Sequence, residues 1–555
     1  MSVIEHPLDT IQELFRKNWK EGATTDKDDF GVTKHFQELF DTREKLSKIP
    51  VLDAQSINSL PLNSLVRFRC MVQDTELSQE VALFASTVSS KPNGEETFVC
   101  HRYSDGPQED QMLASHQNQE LMDLRNSYYC VSVPGQSQWV KDADSAKVTG
   151  LDGVLEGLKL KETKTSEVIA ERYPFPAASH FAAVVKSHSS DVSIGVTDMV
   201  EVIGVLGSSD KVSSGDSFDF QEVSASGPRI PTVHAILMKK VEDHGHPELA
   251  VDGLPTEGDL EKLVKDAKTV REELIQYIAE AVRGDRFAAE LVLLHLLARV
   301  YSRPSGTVLG KFSLNLKDSV ANSPVAKSLE KVVKSVLPKA HAIPMTLENL
   351  NKNFFYPRGE EQLKSGMLQV TRGTLLLLDE SAMEEGTLVD QGIKNLKAVS
   401  DVSLYQTLNY SFPYNNLEFQ TDISLLIISF GSSLVPVDCG ITLKPEPSTA
   451  EQQSEPSEEK LQSFRKYISA LRLAEYKFSE DMAKEIETEF MEQRKAASAA
   501  GSALTTPNDL ALNISLARLV ALSKGELTLN RECWDHAVSL SKQIKERSST
   551  TTPVA

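Results

Sequence analysis

The sequence predicts a mixed α/β protein built from an interrupted β-barrel, a parallel α/β domain and a helical tail. Three observations carry this. Short alternating apolar runs separated by turn formers fill residues 60–242. From about residue 260, stripes at helical spacing alternate with continuous apolar runs. Beyond an acidic Pro/Ser stretch, the apolar residues follow a helical period. A chain of 555 residues has room for roughly two to four domains, each with its own core.

Composition narrows the function. The net charge of −20, from 79 acidic against 59 basic residues, argues against a protein whose main task is gripping phosphate backbones, since that rests on clustered Lys and Arg. A protein partner fits better. The five cysteines, Cys70, Cys100, Cys130, Cys439 and Cys533, form no CxxC, so they read as neither a zinc signature nor a disulfide framework. Reduced thiols suit a nuclear or cytosolic compartment. The opening residues lack a basic and an apolar signal region, and no run approaches the ~20 apolar residues of a membrane span. The expectation is a soluble intracellular protein.

In chain order, residues 1–59 read as a helical segment. Pro7 suits a first helical position, and Leu8, Ile11, Leu14 and Phe15, then Phe36, Leu39 and Phe40, form amphipathic stripes that read as packing surfaces. In residues 65–74, Val66, Phe68, Cys70 and Val72 alternate with Arg67, Arg69 and Gln73, the period of a half-buried strand. Further short strands are predicted at 81–84, 97–100 and 128–133, the last closed by the turn signal Pro134-Gly135. Residues 141–174 are polar with scattered Gly and read as an insertion or linker. Strand signals resume at 181–185 and 198–206, where Gly204 permits a bulge or bend, and a Ser/Asp-rich loop covers 207–226. Residues 60–242 are thus one interrupted barrel. They carry no clear aromatic platform or basic groove for single-stranded nucleic acid.

Residues 243–443 form the α/β domain. His244 and His246 read as a loop rather than a metal site. Leu260, Leu263, Ala267, Val270, Leu274 and Ile278 mark a long helix ended by Gly284-Asp285, and 286–301 a core helix in which His295 reads as a satisfied core residue. Strands at 309–316, 375–378 and 423–428, with a helix at 326–336, complete the alternation of a parallel sheet. Residues 444–458 form an acidic Pro/Ser linker, read as a solvated spacer. Residues 459–555 then hold four helices, marked by Phe464/Tyr467/Ile468/Leu471, Met482/Ile486/Phe490, Leu512/Leu516/Leu519/Val520 and Trp534/Ala537/Val538, the fourth capped by Asn530.

The chemistry-bearing stretch is Gly373-Thr374-Leu375-Leu376-Leu377-Leu378-Asp379-Glu380-Ser381. Four leucines between turn formers read as a buried parallel strand that delivers Asp379 and Glu380 to its C-terminal edge, a Walker B pattern in which an Asp holds Mg²⁺ and a Glu orients water. Such a site needs the phosphate loop GxxxxGK[ST] before the next helix. That place holds Lys317-Asp318-Ser319-Val320-Ala321-Asn322-Ser323-Pro324-Val325, with no Gly, no Lys-Ser/Thr pair, and an Asp where an anion should sit. The nearby Gly306-Thr307-Val308-Leu309-Gly310-Lys311-Phe312 has the wrong spacing, with Phe in place of the metal-binding hydroxyl. There is no GxSxG, HExxH or GxGxxG. Asp379 and Glu380 therefore read as a degenerate remnant that caps a helix or hydrogen-bonds at the sheet edge. No catalytic residue, cofactor or metal is expected.

Several stretches resemble the MCM replicative helicases. Residues 65–74 resemble the "LVRFRGMV" strand of their OB domain, with Cys70 for Gly, and 198–206 its "GDxVEVTGIL" strand. Phe464-Arg465-Lys466-Tyr467-Ile468, Glu489-Phe490-Met491-Glu492-Gln493-Arg494 and 506–521 follow the order of their C-terminal lid. The chain is identified more closely as a member of the MCM complex-binding protein family, which looks like a degenerate relative of these helicases. The diagnostic stretches are His6-Pro7-Leu8, residues 65–74, Tyr128-Tyr129-Cys130-Val131-Ser132-Val133-Pro134-Gly135 with Trp139, Leu309-Gly310-Lys311-Phe312, Leu378-Asp379-Glu380 and 434–439. The resemblance implies an interrupted OB-like β-barrel, a degenerate AAA+-like α/β domain and a C-terminal helical lid-like domain. Against the helicase pattern, Ser429-Phe430-Gly431-Ser432 replaces a sensor Asn, Pro436-Val437-Asp438-Cys439 an arginine-finger segment, and Asn508 the lid arginine; the barrel lacks zinc-ribbon cysteines. The implied function is a non-enzymatic nuclear partner of MCM subunits that contacts chromatin indirectly. It would act in MCM assembly or unloading, DNA replication, sister-chromatid cohesion and the cell cycle. A residual ATPase and an OB-type single-strand binder are the alternatives.

Overall fold

The computed structural model describes residues 3–19, 29–75, 79–90, 96–107, 111–113, 121–145, 170, 172–176, 181–188, 193–208, 210–211, 229–241, 257–359, 362–445, 456–499 and 506–548. Strands β1 (Leu65–Asp74), β2 (Gln79–Ser90), β3 (Glu96–Cys100), β4 (Gln111–Leu113), β5 (Leu121–Ser132), β6 (Ala182–Ser187), β7 (Met199–Leu206), β8 (Asp210–Lys211), β9 (Arg229–Ile230) and β10 (Thr232–Lys240) come first. Five of them close a barrel in the order β1-β7-β10-β6-β5 and back to β1. Only β10 and β6 in that ring run parallel. Beyond the barrel, β5 extends to pair with β2, which carries β3 and β4.

The expected alternation in β1 holds for the interior. Val66, Phe68, Cys70 and Val72 face a core shared with Cys130, Phe181, Val202 and Val233. The expectation of a half-buried strand is corrected, because the other face is covered too. Leu65 packs with Ile11, Val32 and Phe36 under the N-terminal helices α1 (Pro7–Asn18) and α2 (Val32–Leu39), while Arg67 and Arg69 meet Glu201 of β7 at 3.7 and 2.9 Å. Gln73 is 0% exposed. The N-terminal stripes are therefore packing surfaces, and Gln12 of α1 mimics a strand by exchanging two hydrogen bonds with the Cys100 backbone (2.6 and 3.1 Å).

Gly204 does not itself bulge. It faces the irregularity in β10 between Ala235 and Leu237, and a Cβ there would lie 2.3 Å from the His234 carbonyl oxygen. The missing side chain lets the two backbones approach. Gly204→Ala is expected to part β7 from β10 and cost about 3 kcal/mol, the upper end for overpacking. A chemical denaturation midpoint unchanged from wild type would refute this.

After the short helices α3 (Arg43–Leu46) and α4 (Gln138–Ser145) come α5 (Glu257–Ala281), α6 (Arg286–Leu297), α7 (Pro324–Val336), α8 (Leu347–Lys352) and α9 (Asp390–Tyr405), then the tail helices α10 (Glu458–Leu473), α11 (Glu480–Ala499), α12 (Pro507–Ser523) and α13 (Arg531–Ser548). Strands β11 (Leu314–Asp318), β12 (Ala340–Pro344), β13 (Arg358–Gly359), β14 (Leu363–Lys364), β15 (Thr374–Asp379), β16 (Thr407–Ser411), β17 (Asn416–Gln420), β18 (Ile423–Phe430) and β19 (Cys439–Thr442) complete the set. A five-stranded parallel sheet runs β12-β15-β18-β11-β19, and a small sheet runs β14-β13-β16-β17.

The four leucines of β15 make sense here. Leu375 and Leu377 enter one core with α5, α6, α7 and the tail helices; Leu376 and Leu378 enter the other with Val399, Val402, Leu408 and Tyr410. Both faces are covered, so the strand needs apolar residues at every position. The tail shares this core: Phe464, Tyr467, Leu516, Leu519 and Trp534 pack with Leu291 and Leu314, whereas Phe490 lies outside it. Asn530 caps α13 through the Cys533 N–H at 2.8 Å.

Some expected elements shift. The strand predicted at 309–316 starts at Leu314, because Leu309 pairs back to Ser302 and Gly310 has φ +96°. The core helix ends at Leu297, not 301. His295 is buried and bonded through Nδ1 to the Phe312 carbonyl at 2.6 Å, and burial pushes its pKa down to about 4. Residues 244–247, most of the 207–226 loop, most of the 141–174 insertion and linker residues 446–455 lie outside the described residues. Among the described residues, no helix is long and apolar enough to cross a membrane.

Candidate functional site

The parallel sheet ends in a row of polar residues where β11, β15 and β18 stop. Asp379 accepts from the backbone N–H (3.0 Å) and hydroxyl (2.6 Å) of Ser381. Glu380 is 5% exposed and accepts from the Ser433 hydroxyl and the Leu434 N–H, both at 3.2 Å. Burial pushes its pKa up to about 7, against those hydrogen bonds. Both carboxylates thus hydrogen-bond at the sheet edge, and neither caps a helix: the next one, α9, has Val389 at its N-cap.

The position of a phosphate loop lies between β11 and α7, and there the chain supplies its own anion. Asp318, 3% exposed, accepts from Arg283 at 3.0 Å and from the Ser323 hydroxyl. Ser323 also caps α7 by accepting from Val325 N–H at 3.1 Å, and Pro324 has no N–H to offer. Ser381 ties the loop to β15: its hydroxyl accepts from Ser323 N–H (3.1 Å) and its carbonyl from Asn322 N–H (2.9 Å). A helix start of this kind ordinarily favours an external anion. Here the hydroxyls of Ser381 and Ser323 already take the N–H groups of Ser323 and Val325, and a phosphate would meet the charge of Asp318.

The other substituted positions are structural. The buried Ser429 hydroxyl donates to Asn315 at 3.0 Å. Asp438 accepts from both the N–H and hydroxyl of Ser313 (2.8 and 2.9 Å) and pairs with Lys311. Thr506 caps α12 in a reciprocal pair with Asp509, leaving Asn508 exposed. Among the described residues, no cluster of three His, Cys, Asp or Glu is arranged to hold a metal, and all five cysteines are free and buried.

A second polar constellation, absent from the sequence expectations, joins barrel and sheet. Arg172, inside the stretch read as a linker, bonds Asp74 at 2.7 Å, Gln73 at 3.2 Å and Gln362 at 3.2 Å, and lies 3.7 Å over the Tyr129 ring. Gln73 and Gln369 bond across the joint, and Phe175 stacks on His341 with ring centroids 3.7 Å apart. On its other side, Gly135 accepts from Ala340 N–H (2.8 Å), Ser137 donates to the Leu337 carbonyl (2.6 Å), and Trp139 donates to Lys334 O (3.2 Å) beneath the Arg465 guanidinium. The sequence signals that fall on this joint are the diagnostic runs 65–74, which ends in Gln73-Asp74, and 128–135 with Trp139.

Fold and site together define a mixed α/β protein in which a closed five-stranded barrel is fastened to a parallel sheet whose C-terminal edge is filled by its own side chains. The family follows from comparison with known sequences. The chain belongs to the mini-chromosome maintenance replisome factor family, whose model matches residues 36–157 and 155–548. It is 30% identical over 630 residues to a mini-chromosome maintenance complex-binding protein of Gallus gallus, covering 98% of this chain and 97% of that one. The Homo sapiens protein of the same name is 29% identical over 640 residues at the same coverage, and that of Arabidopsis thaliana 27% over 613 residues, covering 98% of each.

Proposed function

We propose that this chain is a non-catalytic binding partner of the MCM replicative helicase, acting in the nucleus in MCM complex assembly or unloading, and through it in DNA replication, the cell cycle and sister-chromatid cohesion, with chromatin contacted indirectly. The observation that carries the binding function is full-length similarity to proteins named for binding the MCM complex.

The architecture supports descent from a helicase-like ancestor. The barrel strands, renumbered one to five along the chain, close in the order 1-2-3-5-4, as in an OB fold, and the sheet strands run 2-3-4-1-5, as in AAA+ ATPases. The tail helices share a core with α5, α6, α7 and the sheet, which supports the lid-like reading. Asp379 and Glu380 are then remnants of a Walker B strand, and Asp318 in the phosphate position supports the non-catalytic reading. For the OB-type alternative, stacking platforms are wanting: within the described residues of 65–241, no Phe, Tyr or Trp is exposed.

Affinity purification of the full chain from nuclear extract, read by mass spectrometry, is expected to recover MCM subunits. Their absence across several salt concentrations would overturn the reading. A titration with ATP and Mg²⁺ is expected to show no saturable binding; tight binding lost in Asp379→Ala would restore the ATPase alternative.

A further inference from the structure

Among the described residues, the small sheet ends on an uncovered strand. In the order β14-β13-β16-β17, β17 pairs, among the described residues, only with β16, and every one of its residues except Phe419 is exposed. The flanking bonds fix the ladder's phase. Phe412 N–H bonds Asn415 O and Thr421 N–H bonds Gln406 O, so Tyr410/Leu417 and Leu408/Phe419 are the bonded pairs between them. The N–H and C=O groups of Asn416, Glu418 and Gln420 consequently point away from β16. On the opposite side of the same ladder, Ser411 N–H reaches Pro357 O, as this phase requires.

Natural edges are guarded by Pro, Lys, bulges or covering elements. Strand β17, Asn-Leu-Glu-Phe-Gln, has no Pro or Lys, and its pairing with β16 is uninterrupted. A cavity of about 340 Å³ opens beside it, lined by Arg303, Gly306, Tyr405, Thr407, Glu418 and Gln420. Arg303 donates to the carbonyls of Tyr405, Gln406 and Thr421 and keeps its charge, so the cavity carries one guanidinium and one carboxylate, that of Glu418, the charged side chain of β17 itself. Asp401 of α9 lies close enough to feel both Lys397 and Glu418: burial raises its carboxyl pKa, Lys397 opposes this and Glu418 adds to it. At the hairpin tip, Tyr414 is fully exposed.

We infer that β17 is a docking edge on which an extended segment of the MCM partner adds as a further strand, with a Lys or Arg placed opposite Glu418. The backbone groups of Asn416, Glu418 and Gln420 supply the ladder, Glu418 pairs with a basic side chain across it, and Tyr414 supplies an apolar anchor. A second copy of this chain fits poorly: antiparallel pairing of two β17 strands about their middle residue sets Glu418 against Glu418, between chains that each carry −20. The inference rests on the functional reading above, and its test separates the two.

The probe is the purified MCM assembly that the wild-type chain recovers, titrated against wild type, Glu418→Pro and Glu418→Lys. Proline at 418 removes one outward N–H and no bond to β16, so the thermal midpoint is expected to hold while affinity falls about tenfold or more. Glu418→Lys is expected to weaken binding several-fold without touching the backbone, and it decides the matter if Glu418→Pro unfolds. Wild-type affinity in a folded Glu418→Pro chain, or in Glu418→Lys, would overturn the inference and leave the functional reading intact. Failure of the wild-type chain to recover MCM subunits would remove that reading and this inference with it. A wild-type dimer that Glu418→Pro makes monomeric would assign the edge to a second copy and overturn the partner assignment.

Discussion

Arg172→Ala is expected to destabilise the folded chain by about 3–5 kcal/mol, the cost of leaving a buried ion without its partner. The side chains of Arg172 and Asp74 are only 3% and 8% exposed, 2.7 Å apart. Removing the guanidinium leaves the Asp74 carboxylate in the joint between barrel and sheet, strips the Tyr129 ring of its cation, and frees Gln73 and Gln362 from one bond each. Chemical denaturation reads the loss. The double variant Arg172→Met/Asp74→Asn, which removes both charges and keeps the volume, is expected to recover most of it. A double variant as unstable as Arg172→Ala would show that packing, not the stranded charge, sets the cost.

Glu380→Gln is expected to stabilise the protein, and more so as pH rises. The folded pKa of about 7 lies above the ordinary 4.5, so between these values the unfolded chain releases its proton while the folded one keeps it. Fewer protons on the unfolded state mean stability falls with rising pH across that window, levelling off above it. The cost amounts to about 1 kcal/mol at pH 5 and about 3 kcal/mol at pH 8. Glutamine carries no charge and can still accept from Ser433 and Leu434. Denaturation curves at the two pH values should therefore diverge, with the variant ahead at pH 8. A variant less stable than wild type at pH 8 would mean that the Glu380 carboxylate is ionised and held by its hydrogen bonds. A residue that oriented water for hydrolysis would behave differently again, since its loss would abolish turnover.

Much of the fold was legible because some residues admit one reading. The alternation in residues 65–74 matches a strand period, the four leucines of 375–378 form a short run closed by turn formers, and Pro7 and Asn530 mark helix starts that the structure places as expected. Other elements were not legible. Strands β12 (Ala-His-Ala-Ile-Pro) and β19 (Cys-Gly-Ile-Thr) are short and weakly apolar, and are strands because β15 and β11 offer them a parallel edge. The β16–β17 hairpin has no tight turn signal, its tip being Phe412-Pro413-Tyr414-Asn415. Helix α9 goes unassigned from sequence although Leu396, Val399 and Val402 recur at helical spacing.

The candidate site divides the same way. Sequence alone determined that a buried strand ends in Asp379 and Glu380 and that no glycine-rich loop stands between β11 and α7, because these are statements about local residue order. Only the tertiary structure decided what fills that place. Asp318 with Ser323, Ser381 and Arg283 are brought together from three stretches of chain, and Arg172 is drawn from an apparent linker into a buried seam. Spacing along the chain fixes which backbone a segment prefers. Which charge is buried beside which, and which strand edge is left open, depends on contacts between residues tens or hundreds of positions apart, and those exist only once the chain has folded.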